Sequence, residues 1–510
     1  MNNRLISILF LLTLFSCAQT YQKDKVYQLT LLHTNDHHGR FWTNQDGEWG
    51  LAARSTMIKA IRKEVDQKDG ITLLLDAGDV NTGVPQSDML KAEPDFKGMS
   101  KLNYDAMAVG NHEFDNDIAT IRQQEKWAGF PFLSANIYFE GKRLFRPYII
   151  KEVQGLKIAI LGLTTQDTPG VSKLGFDSGI LFTDPIEEAK KLLPELRAQA
   201  HIVIALTHMG HYPNESHANN SPGDVTLARQ VNGIDLIIGG HTQKPLFEAD
   251  VQNNTIIVQA FEWGKFLGRV DLLIKNGQVT LKKYELLPVN HKDQAVKVEE
   301  DQSLKSFLKS FKEKGDKTLL VEVGESSERL EGDRAIVRSQ ETNLGFHITE
   351  AYRKKFNADV GLTNSGGIRD SIKSGVITYE TVLTVLPFAN DIVTVEMTGL
   401  ELKQYLAEIF SVHVPGGGSF PQTSGLEVEF NAKKKIFKKL VIANKNLDPK
   451  KIYKIALPSF IAGGGDKWPS LKHKAPKVYG FTDAAVLREY FEKNKPLGRV
   501  SAKKRVLVHY

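Results

Sequence analysis

One pattern recurs from Val26 to about Pro288 and limits the fold more than any other feature of the chain. A short, unbroken apolar run is followed directly by Asp, Asn or His. Gln28–Asn35 runs into Asp36-His37-His38-Gly39, and Ile71–Ala77 into Gly78-Asp79. Asp105–Val109 runs into Gly110-Asn111-His112-Glu113-Phe114-Asp115, His201–Thr207 into His208-Met209-Gly210, and Asp235–Ile238 into Gly239-Gly240-His241-Thr242-Gln243. The run Lys157–Leu163 ends in Thr164 and Thr165 and brings no obvious ligand. Helix-like segments such as Arg54–Val65 and Pro185–Ala200 lie between the runs. Strands that are apolar throughout, alternating with amphipathic helices, describe sheets covered on both faces, hence an α/β layered domain. In such domains ligands collect outside the carboxyl ends of the strands. That is where these polar residues fall.

The register changes at Asp301–Lys317. Leu304, Phe307, Leu308 and Phe311 recur at helical spacing with lysines between them, which predicts an amphipathic helix with charged flanks. The reading divides the chain into a first domain over 26–295, a connecting helix over 296–318, and a second domain over 319–510. The second domain mixes a helix (Glu341–Phe356) with strands (Ile392–Met397, Leu426–Phe430) and Gly-rich loops at 364–367, 415–419 and 463–465. A length of 510 residues suits two or three domains. A net charge of +6 over that length is compatible with small anionic ligands and argues against a nucleic-acid polymer, which needs a basic stripe.

At the N-terminus, Met1-Asn2-Asn3-Arg4 precedes an apolar stretch from Leu5 to Phe15, too short to span a bilayer. Leu14-Phe15-Ser16-Cys17-Ala18 then resembles the lipobox of bacterial lipoproteins. Cys17 is the single cysteine, so no intramolecular disulfide can form. The expectation is a signal peptide over 1–17 and an exported, membrane-anchored protein acylated at Cys17, the alternative being a plain signal peptide that leaves the protein exported without an anchor.

Asp36, His38, Asp79, Asn111, His208, His241 and Gln243 offer oxygen and nitrogen donors without thiolates. Singly, an Asp or His after a strand is a turn former or helix cap. Jointly, two carboxylates with several imidazoles suit a pair of divalent ions such as Zn, Mn, Co or Fe. Two such ions roughly 3.5–4 Å apart polarise a phosphoryl oxygen and acidify water, so the set points to phosphate-ester hydrolysis. His112 with Asp115 three residues on is the arrangement of a proton donor, since the carboxylate favours the charged ring.

Asp36-x-His38, Gly78-Asp79, Gly110-Asn111-His112-Glu113, His208-Met209-Gly210 and Gly240-His241-Thr242-Gln243 resemble the signatures of calcineurin-like metallophosphoesterases. The exported length as a whole resembles the bacterial 5'-nucleotidase, UDP-sugar hydrolase and ecto-5'-nucleotidase family. The resemblance implies a four-layer α/β/β/α first domain and an α+β second domain. It implies that Asp36, His38, Asp79 and Gln243 hold one ion, and that Asp79, Asn111, His208 and His241 hold the other. His112 and Asp115 match the catalytic dyad, whereas His33 and His37 match no ligand and read as packing groups or as supports behind the ligands.

In the second domain the resemblance implies substrate arginines at Arg338 and Arg369, with Arg334 a further candidate. It also implies base-stacking rings at Phe388 and Phe460, and polar or close contacts at Asn364, Gly367, Asn390 and Asp466. The loop Gly418–Gly425 receives no role, because Pro421 stands where the family has an aliphatic residue. The implied activity is that of an exported 5'-nucleotidase acting on a nucleotide. The rivals are a UDP-sugar hydrolase, a 2',3'-cyclic nucleotide phosphodiesterase, a non-catalytic nucleotide-binding lipoprotein, and a sulfur-oxidation thiol hydrolase. The last gives the two phenylalanines no purpose.

Overall fold

The computed structural model describes residues 20–509 apart from 45, 173, 175–177, 214–221, 414–415 and 501–504. Cys17 and the signal segment therefore lie outside the described residues, as does part of the 415–419 loop. Among the described residues no helix is long and apolar enough to cross a membrane.

Two six-stranded sheets form the centre of the first domain. In one, β1 (Tyr27–Thr34), β2 (Ile71–Asp76), β3 (Ala106–Ala108) and Phe132–Leu133 run parallel, and Phe266–Lys275 pairs antiparallel with β1. In the other, Leu156–Thr164, Ile202–His208, Leu236–Gly239 and Thr255–Gln259 run parallel. Successive residues of a strand point to opposite faces. Leu29, Leu31, Leu73 and Leu75 accordingly pack between the sheets against Ile158, Ile160, Ile204 and Ile238. Leu32, Leu74 and Met107 face outward onto the helix layer that includes α1 (Leu51–Asp66). Ala159, Leu161, Val203 and Ile237 face outward onto Pro185–Gln199 and Asp224–Gln230. This is the α/β/β/α stack, and it accounts for strands that are apolar on both faces.

The Gln302–Leu319 helix begins where the sequence placed it, but it does more than connect. Leu304 and Leu308 enter the first domain's outer core, with Phe307 and Phe311 packed against it. In the second domain, Val360–Asn364, Asp391–Thr398 and Ile452–Pro458 belong to a five-stranded mixed sheet, and a four-stranded sheet is built on Leu426–Asn431. Helices Asn343–Lys355 and Gly399–Ser411 cover these sheets. Thr164, which brings no ligand, has a bracing role: its hydroxyl donates to Val109 O at 2.6 Å, just ahead of Gly110 and Asn111.

Candidate active site

The parallel strands of both sheets deliver their carboxyl ends to one edge, and the chain turns sharply there. Asp36 (φ 51°), His38 (51°), Asp79 (59°), His241 (77°) and Gln243 (51°) all have left-handed backbone. Asp and His tolerate that region better than most residues because their side chains are short and polar. The loops are laced together by Asp36 N–H to Gly78 O (2.9 Å) and His38 N–H to Asp79 O (3.0 Å). Gly110 is required: a Cβ there would stand 2.2 Å from Asp79 Oδ1. Glu113 straps the Asp79 loop to the Asn111 loop. Its buried carboxylate accepts N–H groups from Gly110 (2.7 Å), Asp79 (3.1 Å) and Val80 (2.8 Å).

His208 and His38 are each oriented by the nitrogen turned away from the cluster. His208 Nδ1–H donates to Ala77 O at 2.7 Å, so Nε2 faces Asp79 Oδ2 at 3.0 Å and Asn111 Oδ1 at 3.2 Å. His38 Nδ1–H is shared between Thr82 O (2.8 Å) and Asn81 O (3.1 Å). Its Nε2 lies 3.8 Å from Asp36 Oδ1, 4.0 Å from Asp79 Oδ2 and 2.7 Å from the Gln243 amide nitrogen. His241 Nδ1 lies 2.8 Å from Asn111 Oδ1, and its backbone N–H donates to Asp36 Oδ2 at 2.9 Å. Fixing one ring nitrogen on a carbonyl to free the other is how metal-binding histidines are held.

Two donor groups result, Asp79 with His208 and His241, and Asp79 with His38 and His112, each within 4.8 Å. Asp79 is common to both. His112 thus reaches the cluster where the sequence reading placed Asp36 and Gln243, although both of these also border His38 Nε2.

The ionisable groups of the cluster shift one another in opposite directions, and burial holds His38 well below the usual imidazole range. Burial, and then the neighbouring Asp79 carboxylate, raise Asp36 to about 7 against the opposing pull of His208. Burial disfavours the His208 imidazolium, yet Asp79 and Asp36 outweigh it and push the ring up to about 10. Burial also opposes ionisation of Asp79, but His208, His112 and His38 hold its carboxyl below the usual range. Asp36 Oδ1 is buried with no hydrogen-bond partner. A buried carboxylate oxygen without a hydrogen bond, a shared Asp and four imidazoles fit divalent cations.

His112 and Asp115 occupy one turn of 3-10 helix, which brings residues three apart onto the same side. His112 Nδ1 meets Asp115 Oδ2 at 2.7 Å, and its backbone N–H donates to Asp79 Oδ1 at 2.8 Å. Burial works against the charged ring, but Asp115 and Asp79 prevail and raise its pKa above the ordinary histidine value. Neither His33 nor His37 has a nitrogen in the two donor groups. His33 is buried against Tyr284, and His37 lies between Asp95 (2.9 Å) and Arg54 (3.0 Å).

The second domain meets this edge directly. Arg334 Nη1 donates to Gln243 Oε1 at 3.0 Å. The Phe388 ring lies over His112 with centroids 5.6 Å apart and planes 21° apart, and Arg369 sits 5.5 Å from the Phe388 centroid. Arg338 borders Gly416 O at 3.4 Å. Burial and the neighbouring Arg334 and Arg369 lower it to about 9. Asn364 Nδ2 donates to Asp466 Oδ2 at 2.5 Å, and a Cβ on Gly367 would stand 3.3 Å from Asn364 Oδ1. Phe460 packs over Gly465. Asn390 Nδ2 turns to Asp483 Oδ2 at 3.3 Å, a partner within its own domain.

Three residues that matter locally carried no assigned role in the sequence reading. Glu113 was visible in its motif, but its task depends on a loop more than thirty residues upstream. Thr82 joins the dyad by donating to Asp115 Oδ2 at 2.7 Å. Gln422 is fully buried and braces the Arg338 loop, donating to Val337 O (2.9 Å) and Gln340 O (2.8 Å) and accepting from Thr342 N–H (3.0 Å).

Comparison with known proteins agrees with this geometry. Residues 29–245 match the calcineurin-like phosphoesterase model, and residues 322–473 match the 5'-nucleotidase C-terminal domain. A 5'-nucleotidase of Vibrio cholerae is 45% identical over 94% of this chain and 93% of its own length. The chain belongs to the 5'-nucleotidase family. It is a metal-dependent phosphoric ester hydrolase. Protein UshA of Escherichia coli K12 is 44% identical, covering 96% of this chain and 96% of its own length. The crystal structure of a 5'-nucleotidase precursor from Thermus thermophilus superposes with a TM-score of 0.80 at 30% identity, over 95% of this chain and 99% of that one.

Proposed function

We propose that the chain removes the 5'-phosphate from nucleoside monophosphates, with its residues in the roles that the family resemblance implies. Asp36, His38, Asp79 and Gln243 hold one divalent ion, and Asp79, Asn111, His208 and His241 hold a second. When bound, such ions supply Lewis-acid polarisation of the phosphoryl group and acidify water. His112, kept protonated by Asp115, gives its proton to the ester oxygen as the P–O bond breaks, so the nucleoside leaves as a neutral alcohol. Arg334, Arg338 and Arg369 offset the phosphate charge, and Arg suits that task because its planar fork matches phosphate oxygens. Phe388 and Phe460 stack on the base, while Asn364, Gly367, Asn390 and Asp466 line the nucleoside.

The observation that carries this reading is the placement of Arg334 and Phe388, from the second domain, against Gln243 and His112 of the ligand cluster. The test is phosphate release from AMP after chelation and after return of Zn, Mn or Co, alongside UMP, ADP, UDP-glucose and 2',3'-cyclic nucleotides. Metal-dependent release from AMP is expected. No release from AMP with any metal, together with turnover of UDP-glucose or a cyclic nucleotide, would reassign the substrate.

We also propose that the enzyme is exported and held at a membrane through an acyl group on Cys17, a reading supported by the apolar Leu5–Phe15 stretch ahead of it. Cys17→Ala is expected to lose lipid labelling and detergent-phase partitioning in a bacterial host. Unchanged partitioning rules the anchor out.

A further inference from the structure

Thr82 is the one β-branched residue with positive φ among the described residues, at 64°. Left-handed backbone suits Gly, Asn or Asp, whereas a branched Cβ there is crowded against the chain and costs free energy. Strain of this kind persists where the surrounding structure imposes it, and it gathers at functional sites. Both oxygens of Thr82 have partners that the proposed chemistry depends on. Its hydroxyl donates to Asp115 Oδ2 at 2.7 Å, the same oxygen that His112 Nδ1 meets at 2.7 Å. Its carbonyl accepts from His38 Nδ1 at 2.8 Å, which leaves His38 Nε2 facing Asp36 and Asp79.

The left-handed turn makes this double contact. Asp79 is also left-handed (φ 59°), and Gly83 follows at φ 143°, so the chain curls back on itself between the two loops. Asn81, one residue before, is tied to Glu113 Oε1 (3.1 Å) through its side chain, which fixes the curl from the other side.

We propose that Thr82 is a positioning residue that aligns the dyad carboxylate with the His38 imidazole, and that its strained backbone is retained for that purpose. This rests on the roles assigned above to His112, Asp115 and His38. Without the hydroxyl, Asp115 loses a contact that holds it toward His112, while the ligand cluster, which Thr82 touches through its backbone alone, keeps its shape.

The experiment compares Thr82→Ser, Thr82→Val and Thr82→Gly in the full-length protein, using whichever phosphate ester the wild-type enzyme hydrolyses. Loss of a group that orients a catalytic partner costs about 10- to 100-fold. Thr82→Val, which keeps the shape, is expected to lose about that much in kcat with KM within about twofold of wild type. Thr82→Ser is expected to restore turnover because it returns the donor. Bound metal should be unchanged in all three. Wild-type turnover in Thr82→Val, or equal losses in Thr82→Val and Thr82→Ser, overturns the positioning role. Melting temperature reads the strain without any substrate, so it stands even if the assigned reaction fails. Thr82→Gly and Thr82→Val both lack the hydroxyl, and the glycine variant is expected to melt higher because it alone relaxes the backbone. A glycine variant that melts at or below the valine variant overturns the strain.

Discussion

His112 shows how much of this site is electrostatic arrangement rather than residue type. Burial alone would strip its proton near neutral pH, and Asp115 and Asp79 reverse that, raising its pKa. A raised pKa means that the charged ring persists to higher pH, and that charge is lost as the pH climbs through the folded-state value. Removing the Asp115 charge leaves Asp79 alone to oppose burial, so the ring must deprotonate at lower pH. Asp115→Asn is therefore expected to move the alkaline limb of the kcat/KM profile toward acid, with a larger loss at pH 8 than at pH 6. A profile that keeps its alkaline limb would show that Asp115 does not set the proton. The polar residues that gather at this edge were visible in the sequence because they stand just past apolar runs, and the structure brings Asp79, His208 and His241, and Asp79, His38 and His112, within 4.8 Å of one another. The tasks of Glu113 and Thr82 were not visible, because their partners come from a loop some thirty residues away, and nothing in a local pattern reports that contact.

The strands were legible as elements because both faces of each are buried, which leaves a continuous apolar signature. The Gln302–Leu319 helix was equally visible, but its packing was not, since an amphipathic stripe does not say which surface it covers. The structure settles this through Asp301. Its Oδ1 accepts N–H groups from Ser303 (3.0 Å) and Leu304 (3.2 Å), and its Oδ2 accepts the Ser55 hydroxyl of α1 at 2.6 Å and pairs with Lys59. One carboxylate both caps the helix and ties it to the first domain. Loss of such a cap costs about 1 kcal/mol. The Lys59 pair adds little, because that ammonium is largely exposed and screened. The Lys59 and Ser55 hydrogen bonds lower Asp301 from 3.8 to about 2. Its stabilisation is therefore complete above about pH 4 and is lost as pH falls toward 2. Asp301→Ala is expected to unfold at lower denaturant concentration at pH 7, with the gap to wild type closing between pH 4 and 2. A gap independent of pH would mean that the carboxylate charge plays no part.

At the scale of the whole molecule, the proposed ligands and dyad belong to one domain and the proposed substrate arginines and rings to the other, so the proposed site needs both. The domains touch through Arg334 on Gln243, Phe388 on His112, and Gln86 Nε2 on Glu380 Oε1 at 2.5 Å. With Phe388 stacked directly on His112, no layer remains between those two rings for a base. A nucleotide is expected to enter with a movement of the second domain, and binding there is expected to orient the ester over the ligand cluster. Orientation of that kind is a large part of rate enhancement. Phe460 tests the division of labour more cleanly than Phe388, because it packs over Gly465 and has no ring contact with the dyad among the described residues. Base stacking on an aromatic ring is worth about 1–3 kcal/mol, and each 1.4 kcal/mol is about tenfold in rate. Phe460→Ala is accordingly expected to lower kcat/KM for AMP by about 10- to 100-fold. A small aryl phosphate, which presents no nucleobase to the second domain, should be hydrolysed within about twofold of wild type. Equal losses on both substrates would mean that Phe460 supports the site as a whole, and the second domain would then not be the reader of the base.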